Sequence, residues 1–139
     1  MFSKILLASD GSNHAVRAAE KAAYIASGTP NAVLEIVYVV DSTTSKTDVL
    51  HNGNTELIEQ NRKQRLEKTE ELLKAKNIDY KITLLHGDAG PSIVDYANDQ
   101  DFNLVVLGSR GLNALQEMVL GSVSHKVAKR VNCPVLIVK

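Results

Sequence analysis

Four short, continuous apolar runs constrain this chain more than any other feature: residues 5–8 (Ile-Leu-Leu-Ala), 36–40 (Ile-Val-Tyr-Val-Val), 104–107 (Leu-Val-Val-Leu) and 135–138 (Val-Leu-Ile-Val). They are rich in β-branched residues and show almost no apolar–polar alternation. A strand with one wet face alternates, whereas a strand covered on both faces does not. The runs therefore predict a parallel sheet buried between two layers. Residues 82–85 (Ile-Thr-Leu-Leu) supply a fifth strand of weaker apolar character.

Helical patterns fill the intervals. Ala15, Ala18, Ala19, Ala22, Ala23 and Ala26 recur at three- and four-residue spacings, with Gly28 just past the end. Residues 56–76 are polar and rich in helix formers. Leu57, Ile58, Leu66, Leu72 and Leu73 form their sparse apolar face, and Glu59–Lys63 and Glu70–Lys74 stand four residues apart as favourable pairs. Pro91 opens a shorter helix over residues 91–98, and a last helix spans 122–131 before Pro134. Right-handed crossovers turn this β-α-β-α-β-α-β-α-β order into a doubly wound parallel sheet with helices on both faces. The expectation is one domain over residues 1–139, with the polar stretch 41–54 as a connecting loop.

Composition narrows the functional classes. Hydrophobic residues make up 44% of the 139 and charged residues 23%, as in globular chains rather than disordered ones. Sixteen basic residues balance sixteen acidic ones, which argues against general nucleic-acid binding. The single cysteine, Cys133, excludes an internal disulfide and suits a reducing compartment. The apolar run before Ser9 is only four residues long, 5–8, too short for a signal peptide or a membrane span. A cytoplasmic protein with no membrane partner is expected.

In an open parallel sheet, ligands bind beyond the carboxyl ends of the strands, where the winding reverses. Ala8-Ser9-Asp10-Gly11-Ser12 follows the first strand, and Gly108-Ser109-Arg110-Gly111 follows the fourth. Nine residues later, Gly121-Ser122-Val123-Ser124 opens the last helix. Glycines let a backbone approach a ligand closely, and a helix start offers unpaired N–H groups to a phosphate. Ser122 and Ser124 add hydroxyls. From residue 108 onward five basic residues (Arg110, Lys126, Lys129, Arg130, Lys139) accompany one acid, Glu117. Each glycine alone is most simply a turn residue; the combination after a buried strand points to a phosphate cradle.

The spacing Gly108-x2-Gly111-x9-Gly121-Ser122 resembles the ATP-binding signature of the universal stress protein family. The segments ILLASDGS (5–12), VYVVD (37–41), GDAGPSIVDYA (87–97) and NCPVLIVK (132–139) extend the resemblance over the whole chain. It implies strand order 3-2-1-4-5 and a bound adenine nucleotide, ATP with Mg or Mn held through the phosphates. Carried over position by position, Ala8 and Asp10 lie beside the adenosine, and Val39 faces adenine through its backbone. Gly108, Arg110 and Gly111 follow ribose and phosphates, while Gly121, Ser122, Val123 and Ser124 hold the phosphate chain. Tyr38 stands where the family often has histidine. The resemblance also implies a homodimer, antiparallel through the edge strand at residues 135–139.

Other chemistries lack their residues. There is no G-x4-G-K-[ST] loop, no G-x-G-x-x-G and no G-x-S-x-G. His14, His51, His86 and His125 are scattered without metal-ligand spacing. A receiver domain would need clustered acids after the first strand, and Asp10 stands alone. The leading expectation is a nucleotide-dependent regulator in stress response, acting on an unidentified protein partner. Two alternatives remain open at this stage: a slow metal-dependent ATPase or phosphotransferase, and a dimeric interaction module without nucleotide.

Overall fold

Ile5, Leu6 and Leu7 are wholly buried, as are Val105 and Val106, so two strands lie at the centre of the molecule with no wet face. The structure is a computed structural model that describes residues 1–40, 55–110 and 120–139. The 41–54 loop and Gly111 lie outside the described residues. The strands are β1 (Lys4–Ala8), β2 (Val33–Val40), β3 (Tyr80–His86), β4 (Leu104–Gly108) and β5 (Val135–Val138). The helices are α1 (Asn13–Ser27), α2 (Thr55–Ala75), α3 (Ala89–Asp99) and α4 (Ser122–Arg130). All strand pairs are parallel, in the order β3-β2-β1-β4-β5. This is the expected doubly wound fold.

Alternate side chains of each strand feed two cores. One holds Ile5, Leu7, Leu34, Ile36, Tyr38 and Val106 under α1 and α2. The other holds Leu6, Ala8, Val37, Val105 and Leu107 under α3 and α4. The α1 alanines are buried without bulk, so the helix axis sits close to the sheet. Leu66 and Leu73 carry the buried face of α2. Its charges pair differently from the four-residue spacing: Glu59 pairs with Arg62 at 2.9 Å, and Glu70 accepts from the Tyr80 hydroxyl at 3.1 Å. Helix α3 starts two residues before Pro91, which still falls in the first turn, where a missing N–H costs no helical bond.

Strands β1, β2 and β3 begin earlier than their apolar runs suggest. Glu35 lies inside β2 and Lys81 inside β3, directly opposite each other in the ladder. Glu35 is 3% exposed on the α3 face. Its carboxylate accepts from Thr83 Oγ1 at 2.8 Å and from the Tyr96 hydroxyl, and Lys81 Nζ lies 3.2 Å away. A charge read as a strand boundary is thus a satisfied buried group. Burial alone would raise its pKa; the Tyr96, Thr83 and Lys81 hydrogen bonds win and hold it below the usual value of 4.5.

A depressed carboxylate stabilises the fold above its unfolded pKa, and that contribution disappears as pH falls through the folded value. Glu35→Gln is expected to cost about 1–3 kcal/mol at neutral pH. It should also flatten the loss of stability below about pH 4.5, measured by urea unfolding across pH.

Candidate functional site

From β1 the chain winds through α1 to β2; from β4 it winds the opposite way, through α4 to β5. The loops after β1 and β4 therefore leave adjacent strands in divergent directions and open a cleft between them. The first loop is locked by short-range bonds. Ser9 N–H donates to Val37 O at 3.0 Å, and Ser12 N–H donates to Asp10 Oδ1 at 2.9 Å, closing a turn through the aspartate side chain. Ser12 then caps α1 by accepting from Ala15 N–H at 3.2 Å. Gly11 has φ +82°, and a Cβ there would stand 2.7 Å from the Arg65 carbonyl oxygen and Cβ. Helix α2 is pressed onto this turn.

The second loop is hung from β5 and tied to α4. Ser109 N–H donates to Val138 O and Gly121 N–H to Ser109 O, both at 2.8 Å. Gly121 is the N-cap of α4 and, having no side chain, leaves the helix without a side-chain cap. The first-turn N–H groups of Ser122, Val123 and Ser124 have no partner within the helix. They carry the positive end of its dipole. Ser122 is exposed at the opening, and Val123 packs against the α3/α4 core. His125 N–H closes the first helical bond on Gly121 O at 2.9 Å.

The expected site residues gather unevenly. Ala8, Val39 and the start of α4 share one face of the sheet. Asp10 and Arg110 stand on the two cleft loops. Ser124 is buried, and its hydroxyl donates to Gly108 O at 2.6 Å. What it offers an anion is its backbone N–H rather than the expected hydroxyl. Gly108 has a packing reason for being glycine: a Cβ would stand 2.8 Å from His14 Cβ and 3.0 Å from His14 O, on the α1 side. The expected local positive charge is also divided. Arg110 is at the cleft, but Lys129 and Arg130 occupy the last turn of α4, roughly 12 Å away along the axis. They serve the negative end of that helix.

The sequence marks His14 only as a scattered histidine and does not single out Arg17 or Arg65. His14 Nδ1 lies 2.7 Å from Arg17 Nη2, and Arg17 Nε donates to Lys139 O at 3.1 Å. Desolvation lowers the His14 pKa, and Arg110 and Arg17 lower it further against the opposing pull of Asp10. Arg65 donates from Nη1 to the Tyr38 hydroxyl above the first core. The three-residue spacing of His14 and Arg17 on one helix was the available signal. Among the described residues, no group of three or more His, Cys, Asp and Glu side chains could hold a metal ion. Burial pushes the Cys133 thiol up, away from the reactive thiolate.

The model of the universal stress protein family matches residues 1–139. The chain belongs to the universal stress protein family. Universal stress protein YxiE of Bacillus subtilis is 34% identical over the full length of both chains. Among solved structures, the hypothetical protein MJ0577 superposes with a TM-score of 0.83 at 27% identity, covering 100% of this chain and 96% of that one. A universal stress protein solved in complex with cAMP superposes at 0.70 with 25% identity, covering 99% and 96%. Family membership accounts for the shared sheet order.

The glycines test the division between packing and ligand roles. Gly11→Ala combines a left-handed backbone with a backbone clash and should destabilise most, by more than about 2 kcal/mol. Gly108→Ala should lose about 1–3 kcal/mol against His14. Gly121→Ala, with ordinary φ and its nearest atom at 3.3 Å, should lose least. Urea unfolding of the three variants gives the order.

Proposed function

We propose that this protein binds an adenine nucleotide, ATP with Mg or Mn held through the phosphates, in the cleft between the loops after β1 and β4. The observation that carries the reading is the start of α4: a glycine N-cap with no side-chain cap bond, followed by an exposed Ser122. In this reading Ala8, Asp10 and Val39 bound the adenosine. Gly108, Arg110 and Gly111 follow ribose and phosphates, and Gly121, Ser122, Val123 and Ser124 cradle the phosphate chain. The cAMP complex of a universal stress protein supports an adenine ligand. When bound, the divalent cation would neutralise phosphate charge; the chain supplies backbone N–H groups and Arg110.

The protein acts as a regulator in this reading. Three polar side chains beside the cleft are committed to structure: Asp10 to its turn, Ser12 to the α1 cap and Ser124 to Gly108. Nucleotide occupancy then sets the affinity of a homodimer for a protein partner in the cytoplasm. No helix among the described residues is long and apolar enough to cross a membrane. Among the described strands β5 is the sheet edge beyond β4, and the outer row of backbone groups of such an edge suits antiparallel pairing with a second copy.

Protein purified without added nucleotide and heat-denatured should release ATP, identified by chromatography and mass spectrometry. Ser122→Asp should keep or raise thermal stability, because an acid suits a helix start, yet weaken ATP binding at least about tenfold by repelling phosphate. Equal binding by Ser122→Asp would overturn the α4 cradle. Light scattering should give twice the 15.1 kDa chain mass, and a concentration-independent monomer would remove the dimer.

A further inference from the structure

His14 sits where the two cleft loops meet. Its backbone lies so close to Gly108 that a side chain there would have no room, which sets the first turn of α1 directly against the end of β4. Arg17 reaches back one turn to place Nη2 2.7 Å from His14 Nδ1. A guanidinium only donates, so that nitrogen must present its lone pair, and the ring's single proton is on Nε2. Protonating Nδ1 would set two donors against each other and, among the described residues, gather three cations, His14, Arg17 and Arg110, near Asp10.

We propose that His14 is a proton-linked positioning residue of the cleft, exchanging its hydrogen bond from Arg17 for a proton when nucleotide phosphate enters between the loops after β1 and β4. The proposal rests on the nucleotide reading above. The proton comes from solvent and forms an Nδ1–H bond as the Arg17 contact breaks. Phosphate charge beside Arg110 reverses the sign of the local field, so the imidazolium becomes favourable where it was opposed. The downward pKa displacement of His14 without ligand, from desolvation and then Arg110 and Arg17, agrees with this geometry.

The charged groups around the ring are these among the described residues. Arg17 is on α1 itself, Asp10 on the β1 loop and Arg110 on the β4 loop. From beyond β5, Lys139 presents its backbone oxygen to Arg17. On α2, Arg65 lies against Gly11 and is turned to Tyr38. Strand β2 sends its one charged side chain, Glu35, to the opposite face. Through Arg17 the exchange reaches the end of β5, so proton uptake loosens a contact between the cleft and that strand.

NMR titration of the four imidazoles between pH 5 and 8 tests this, with His14→Gln identifying the signal. Saturating ATP should raise the His14 midpoint by about one pH unit or more, and adenosine should not. Arg17→Gln should raise the midpoint without nucleotide, a readout that needs no change at His14. ATP affinity should strengthen toward acid in the wild type by about tenfold per unit of that shift, relative to His14→Gln. The nucleotide's own ionisation is common to both proteins. An unmoved His14 in protein that binds ATP, measured by equilibrium dialysis, overturns this proposal and leaves the nucleotide reading standing. Failure to bind ATP at any pH overturns both.

Discussion

The closeness of α1 to the sheet is the constraint on which the remainder of the structure depends. Six alanines bury one face of that helix with little bulk, and Gly108 removes the Cβ that would meet His14. The helix start consequently lies against the end of β4, where Arg110 and His14 act on each other. A larger residue on either surface would lift α1 and separate the loops that form the cleft. Gly11 repeats the device on the other side of the loop, where the backbone of α2 takes the space of a missing side chain. Glycine here first permits backbone packing, and the cleft follows from that packing.

The sequence made the architecture legible because burial on both faces leaves a distinct mark. Each apolar run became a strand, and 135–138 matched its strand end to end. The early starts of β1, β2 and β3 were lost for one physical reason. Glu35 and Lys81, inside their strands, are polar, and polarity reads as a boundary unless the partners are known. Thr83 and Tyr96, which make the buried carboxylate tenable, come from β3 and α3, 48 and 61 residues away. Nothing local announces such a network.

The candidate site divides along the same line. Gly121 and Ser122 could be located at a helix start because caps are local. The role of Gly108 could not be read locally, since its neighbour His14 is brought to it by the crossover of α1. Ser124 shows how a polar residue in the right motif can be spent on structure: its hydroxyl holds the carbonyl of Gly108 and leaves only a backbone donor. The positive charge counted along the last quarter of the chain also failed to predict position. A nine-residue helix carries Lys129 and Arg130 to the far end from the opening it starts at.

That opening is suspended from the sheet by peptide groups. Val138 O accepts from Ser109 N–H, Ser109 O from Gly121 N–H, and Gly121 O from His125 N–H. The chain of bonds runs from the end of β5 through the β4 loop into the first turn of α4. Arg17, bonded to both Lys139 O and the His14 ring, makes a second connection from the same strand end to the α1 side of the cleft. Side-chain substitution can sever the second connection but leaves the first intact, because backbone donors and acceptors do not depend on residue type except at proline. The position of the α4 dipole is therefore set by the fold itself. Arg17 and His14 are the parts that sequence is free to tune.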